Sequence, residues 1–136
     1  MVRSGQRRCG LPLQHVIETC RPLPIERLGD APAFVLGLAR VRGEVVPVVD
    51  LRLILGDLPE QAAARFVSLR ISGRRIALAV DDVLGLVQVP AMSLEALPPL
   101  MLPGTPAVES LAQLDQALLL ILRMARLLPP AGLEST

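Results

Sequence analysis

Tryptophan and tyrosine are absent from this 136-residue chain, and phenylalanine occurs only as Phe34 and Phe66. Its core must therefore be built from Leu, Val, Ile and Ala. The same absence argues against single-stranded nucleic-acid binding, which stacks bases on aromatic side chains. Lysine is missing too: the fourteen basic side chains are all arginine, and thirteen acids nearly cancel them to a net charge of +1. A nucleic-acid partner would call for a clustered basic stripe, which the short Arg3, Arg7 and Arg8 group does not make. Cys9 and Cys20 are too few for a disulfide framework and have no metal-type neighbours. The longest apolar run, Ala117 to Leu122, is far shorter than a bilayer span. The first residues lack the apolar stretch of a signal peptide. These absences lead us to expect a cytoplasmic protein with no metal, no cofactor, no nucleic-acid partner and no direct membrane insertion.

Catalytic groups are equally scarce. His15 is the only imidazole, so any Ser–His or Cys–His chemistry would have to use it. No serine sits in a nucleophile elbow, and no glycine loop could cradle a phosphate. Asp81 and Asp82 are adjacent, and adjacent strand residues point to opposite faces; they read as solvated turn residues. We therefore expect no catalytic residue and no enzyme. With 51% hydrophobic residues the chain folds, and a folded chain without catalytic groups acts through its surface.

What the sequence does contain is an internal repeat. The segment from Ser4, SGQRRCGLPLQHVIE, matches the segment from Ser72, SGRRIALAVDDVLG. In each, large residues alternate with small ones: Cys9, Leu11 and Leu13 around Gly10 and Pro12; Ile76, Leu78 and Val80 around Ala77 and Ala79. Period two is the strand signature. A weaker match relates LARVRGEVVPVVDLRLILG, from Leu38, to LAQLDQALLLILRMARLLP, from Leu111. Arg42-Gly43 and Asp115-Gln116 mark the two turns. Together they predict one domain over 1–136, made of a first β unit over 1–60, a second over 61–128, and a flexible tail over 129–136. Phe66–Ile71 and Ile76–Val80 read as a hairpin turned by Ser72-Gly73. Val83–Val89 reads as a strand, and the proline-rich run 91–106 as a long loop. Val45–Val49 is apolar on both faces, and Pro47 within it requires a free or bulged edge. The expected fold is all-β, a small barrel or sandwich.

The stretch Pro32–Gly56 resembles the signature of the CheW-like chemotaxis adaptor family. It carries Gly37, the turn Val41-Arg42-Gly43, and Pro47-Val48-Val49 followed by Asp50-Leu51-Arg52. Upstream, Val16 and Glu18 fall on the family's hydrophobic-x-Glu positions. Downstream, IALAVDDVLG from Ile76 is similar to the family's second strand pair. The resemblance covers about residues 7–128. It implies two small SH3-like five-stranded barrels packed over a shared hydrophobic core. It further implies a scaffold in bacterial signal transduction that docks the regulatory domain of a CheA-like histidine kinase. The same adaptors bind the cytoplasmic tip of a methyl-accepting chemoreceptor, in a groove between the barrels, and are recruited to receptor arrays at the inner membrane. Alternatives are an adaptor of a twitching or pilus-type system and, in a different class, a small-ligand-binding barrel. Two departures stand out. Only Met1–Arg3 precede the first turn, so the expectation is a truncated first strand, or a start assigned too late, with a weak edge in either case. Arg123 stands where many members carry an acid.

Arg42 is the leading partner-binding candidate, a guanidinium held on a turn. Glu18 is expected to pair with Arg21 or Arg42, or to be solvated. Val16, Gly37 and Gly43 complete the candidate set, the glycines as backbone requirements or contacts. Asp50 and Arg52 are expected to cap or pair locally.

Overall fold

The computed structural model describes residues 1–90, 94–96, 106–114 and 117–130. Eleven strands are present among them: β1 Val2–Ser4, β2 Arg7–Gly10, β3 Val16–Cys20, β4 Val35–Val41, β5 Glu44–Asp50, β6 Arg65–Ile71, β7 Arg74–Val80, β8 Asp82–Val83, β9 Leu94–Ala96, β10 Val108–Leu114 and β11 Ala117–Leu122. One helical turn, α1 (Leu51–Ile54), follows β5, and a 3-10 turn, Met124–Leu127, follows β11. The strands form two sheets, one of order β8-β1-β2-β11-β10-β9 and one of order β3-β6-β7-β5-β4. The fold is all-β with two sheets, as expected, but one has six strands instead of five.

The repeat is written into the strand pairing. Adding 73 to each residue of the β4–β5 ladder gives the β10–β11 ladder pair for pair, including the irregularity at Val35/Gly37 and at Val108/Ser110. Even the closing bonds correspond: Asp50 N donates to Phe34 O, and Arg123 N to Ala107 O. Adding 67 to the β1–β2 ladder gives the β6–β7 ladder. In that hairpin the basic pairs Arg7-Arg8 and Arg74-Arg75 coincide, and the two Ser-Gly pairs are one residue out of step. The units are interleaved. The β1–β2 hairpin pairs with β11, and β2 runs parallel to it. The β6–β7 hairpin pairs with β5, again in parallel through β7. Each sheet thus takes one hairpin from the opposite half of the chain.

Alternation sorts the side chains into two cores. Val67, Leu69, Ile76, Leu78 and Val80 point to a core shared with Val2, Cys9, Val108, Leu111 and Leu122 of the other sheet. Phe66, Ala77, Ala79, Val46 and Val48 point the other way, into a smaller core inside the curled five-stranded sheet. Ala39, Ala77 and Ala79 are small where Phe66 is large, and together they fill that interior. Both faces of β5 are covered from Val46 to Asp50, whereas Val45 is exposed, and its parallel ladder with β7 starts at Val48, directly after Pro47.

Four expectations are corrected. The strand starting at Cys9 stops at Gly10, and Leu13–His15 is a 3-10 turn before β3. Of Val83–Val89 only Val83, the end of β8, is strand, because β1, its only partner among the described residues, is three residues long. The 91–106 loop contains β9, paired to β10. Short as it is, β1 is not an edge: it lies between β2 and β8, and Leu84 N donates to Met1 O just beyond. The Asp115-Gln116 turn and residues 131–136 of the expected tail lie outside the described residues.

Candidate functional site

Arg42 and Gly43 are the central residues of the β4–β5 turn, with φ of 51° and 81°. Two positive φ values define the tight hairpin turn whose twist suits β-strands. Glycine adopts that geometry freely, and arginine does so rarely. The φ of Gly43 alone disfavours a side chain, since a Cβ there would meet nothing within 4 Å.

The Arg42 side chain folds back across the barrel to β3, at the opposite edge of the sheet. Nε donates to Glu18 Oε1 at 2.9 Å and Oε2 at 3.0 Å, and an Nη lies 2.9 Å from Oε2. This fork against a carboxylate is the geometry that arginine, and not lysine, supplies. The Arg42 side chain remains 74% exposed and that of Glu18 26%. The Arg42 hydrogen bond holds the Glu18 carboxyl below its ordinary value, and the same bond raises Arg42 above its own. Both therefore stay charged across the neutral range. Of the sequence candidates, Arg42, Glu18 and Gly43 are brought together. Arg21 is not the partner of Glu18.

Val16 and Gly37 sit elsewhere. Val16 pairs with Leu69 and packs against the shared core. Gly37, at φ 147°, lies where the β4 ladder shifts register, and a Cβ there would come 2.2 Å from Glu26 O. Glu26 and Leu38 exchange backbone bonds of 2.8 Å beside it, so Gly37 is a requirement of close backbone approach.

Two features had weaker signals in the sequence. Asp50 and Arg52 do pair locally: Asp50 caps α1 through Arg52 N and takes the Arg52 guanidinium on both oxygens. Asp81, read as a solvated turn residue, instead accepts Gly5 N at 2.6 Å and Arg52 Nη1 at 3.3 Å. No local pattern could have shown this, since both partners are distant in sequence. The second feature is an apolar groove of about 520 Å³ beside β2 and β11, lined by Leu11, Leu13, Leu86, Val87, Leu94 and Ile121 among others. Gly10 is part of its lining, and the lack of a Cβ there admits the Ile121 side chain, which would come within 2.9 Å of one. Leu86 is 77% exposed and Leu13 60%. Among the described residues no cluster of His, Cys, Asp or Glu could hold a metal ion, and no helix is long and apolar enough to cross a membrane. The arrangement is equipped to bind through surfaces: a fixed, exposed guanidinium at one place and an open apolar groove at another.

Known proteins agree in sequence and in fold. The CheW-like domain matches residues 1–131. Protein FrzA of Myxococcus xanthus is 35% identical over 119 residues, which is 85% of this chain and 71% of that protein. The chemotaxis protein CheW of Helicobacter pylori is 21% identical over 126 residues, 91% of this chain and 76% of that protein. Among solved structures, the scaffolding protein TtCheW from Thermoanaerobacter tengcongensis superposes with a TM-score of 0.82 at 26% identity, covering 90% of this chain and 85% of that one.

Proposed function

We infer the role of this chain from one premise: it belongs to the CheW-like domain family. It is a chemosensory adaptor, a non-enzymatic scaffold that couples the cytoplasmic tip of a methyl-accepting chemoreceptor to the regulatory domain of a CheA-type histidine kinase. It works in the cytoplasm, recruited to receptor arrays at the inner membrane. The observation that carries the reading is Arg42: an exposed arginine on a tight turn, oriented by Glu18, on a chain whose other conspicuous surface is an apolar groove. A guanidinium so held is ready to form a bidentate bond to a partner carboxylate. Glu18 and Gly43 fix its position. Val16 and Gly37 support the strands beneath.

The test is calorimetric titration of the chain with the co-encoded kinase regulatory domain and, separately, with a receptor-tip helical hairpin. Kinase-domain binding at low-micromolar affinity or tighter, about −8 kcal/mol, is expected. Arg42→Ala should melt within about 2 °C of the parent, as surface substitutions do, and weaken binding to one of the two partners by about tenfold or more. Arg42→Lys should recover part of that. If the chain binds neither partner, the adaptor reading fails. If Arg42→Ala binds both as tightly as the parent, Arg42 is a solvated turn residue.

A further inference from the structure

The apolar groove beside β2 and β11 has a filled counterpart in the first unit. Subtracting 67 from the β6–β7 ladder gives the β1–β2 ladder, but only as far as Val2 and Cys9. On β6–β7 the ladder runs on, with Val67 opposite Leu78, Phe66 opposite Ala79 and Arg65 opposite Val80. The residues equivalent to Leu78, Ala79 and Val80 are Leu11, Pro12 and Leu13, and all three line the groove. The other flank behaves alike. The Val16–Leu69 pair of β3 and β6 corresponds to the Val83–Val2 pair of β8 and β1. β3 then continues along β6 through Thr19 and Cys20, opposite Val67 and Phe66. Their equivalents, Leu86 and Val87, belong to no strand and line the groove. Both flanks thus run on past the end of β1, with the place of one strand between them.

The packing agrees with the pairing. Phe66 shares the small core with Val46, Val48, Ala77 and Ala79. Their equivalents are Leu119, Ile121, Gly10 and Pro12, and each of the four lines the groove. The groove is therefore the second unit's version of the small core, open at the place that Phe66 fills in the first. Leu13, Leu86, Val87 and Leu94 surround it as exposed large hydrophobic residues, the kind of patch that marks a binding surface. Pro12 is no obstacle to a strand there. Antiparallel pairs alternate between bonded and non-bonded outward from a two-residue turn. Ser4 and Arg7 close that turn, so Cys9 and Leu11 fall on bonded positions and Pro12 on a non-bonded one. Its missing N–H costs an incoming strand nothing.

We propose that this groove is a strand-acceptor site: an extended peptide of a partner lies in it in line with β1, antiparallel to Leu11 and Pro12, and seats a bulky apolar side chain against Leu119 and Ile121. Backbone pairing fixes the register and the pocket selects the side chain. Arg65-Phe66-Val67, seated in the equivalent place of the first unit, shows what kind of segment fits. The site is separate from Arg42, and the proposal does not rest on the adaptor reading.

The probe is a blocked peptide, Ala-Arg-Phe-Val-Ser, with the sequence of residues 64–68, titrated into the isotope-labelled full chain and followed by NMR. Amide shifts should gather at Gly10, Leu11, Leu86 and Val87. Changing the peptide's Phe to Ala should weaken binding about tenfold or more. Leu86→Glu should do the same, and because Leu86 is exposed the variant keeps its fold. Leu58→Glu, 88% exposed and outside the groove, should bind as the parent does. In a second arm Arg-Phe-Val is joined ahead of Met1. That extension should raise the melting midpoint by about 4 °C or more and close the groove to the free peptide. Shifts confined to the five-stranded sheet, or a Phe-to-Ala peptide that binds equally well, overturn the proposal. An extended chain that still binds the peptide overturns it too, since the peptide then sits elsewhere. If the extension stabilises the chain and the free peptide does not bind the parent, the groove accepts a strand of its own chain and not a partner's, and the proposal fails.

Discussion

Replacing Arg52 by Met should destabilise this protein more than any other single loss of charge. Asp50 is 1% exposed and Arg52 6%. Their guanidinium–carboxylate fork spans 3.1 Å and 2.9 Å. Arg52 also donates to Gln61 O at 2.7 Å in the connector and to Asp81 at 3.3 Å beyond β7. Asp81 in turn holds Gly5 in the β1–β2 turn. One side chain thus ties α1, the connector, the end of β7 and the opposite sheet together. Methionine fills similar volume and leaves the Asp50 carboxylate buried with a single backbone donor, Arg52 N. Breaking one side of a buried pair costs about 3–5 kcal/mol. At this chain length that corresponds to a drop of about 10–20 °C in the melting midpoint. Asp50→Asn should cost less, about 1–3 kcal/mol, because an amide oxygen still caps α1 and Arg52 keeps Asp81 and Gln61. The double variant removes the stranded charge, so it should be more stable than Arg52→Met alone. Without Trp or Tyr the transitions must be followed by far-ultraviolet circular dichroism, in urea and on heating. A loss under about 1 kcal/mol for Arg52→Met, or a double variant as unstable as the summed singles, would refute the argument.

Gly37→Ala should lower stability by about 2 kcal/mol or more in a urea titration, since its Cβ meets the Glu26 carbonyl and its φ is strained for a side chain; Gly43→Ala, with strain but free space, should cost less. Burial pushes the Cys9 thiol from about 9 up to about 11. A raised folded value favours the folded state fully below pH 9 and loses that contribution as pH climbs to 11, on the order of 2 kcal/mol. With no lysine or tyrosine to titrate in that window, the two thiols dominate it, and burial raises the less enclosed Cys20 as well; urea midpoints should fall from pH 9 to 11, and Cys9→Ala should reduce the fall more than Cys20→Ala does, an unchanged slope in Cys9→Ala excluding Cys9 as its source.

The alternation of Ile76, Leu78 and Val80 with Ala77 and Ala79 was legible because a period of two reports directly on which face meets which core. The repeat was legible because pairing register preserves spacing, and it extends to residue-by-residue equivalence. Strand length was not. Val83–Val89 has the apolar content of a strand, but Gly85 turns at φ 110° and no ladder beyond β1 receives it. A strand extends only as far as its partner, and the partner lies eighty residues away. At the site, Arg42 and Gly43 were visible as a turn, and Asp50 with Arg52 as a local pair. The Glu18 partner and the Asp81 junction depended on how sheets from both halves interleave. Arg75 carried no signal, since what separates it from Arg74 is the strand face it occupies and its partner Glu44, on a strand distant in sequence.

That interleaving also explains how a repeated chain offers two unlike surfaces. The equivalences place Glu18 opposite Gly85, Arg42 opposite Asp115, Glu44 opposite Ala117 and Arg75 opposite Arg8. Arg75 is enclosed at its barrel mouth, whereas Arg8 is exposed. The Arg42–Glu18 and Arg75–Glu44 pairs therefore lie on one unit, and the sequence at the equivalent positions of the other cannot repeat them, with Gly85 and Ala117 in place of the two acids. The reverse holds for the groove. Val48 is fully buried in the small core, while its equivalent Ile121 is half-buried and lines the apolar groove. Ala77 corresponds to Gly10, whose missing side chain leaves room for the Ile121 and Leu119 side chains to pack over it. A symmetric pair of barrels would present the same face twice and could bridge only like to like. Here the backbone repeats and the surface does not. One framework, held as a single unit by swapped hairpins, carries an exposed guanidinium on one unit and an apolar cleft on the other, two chemically unlike surfaces on one repeated backbone.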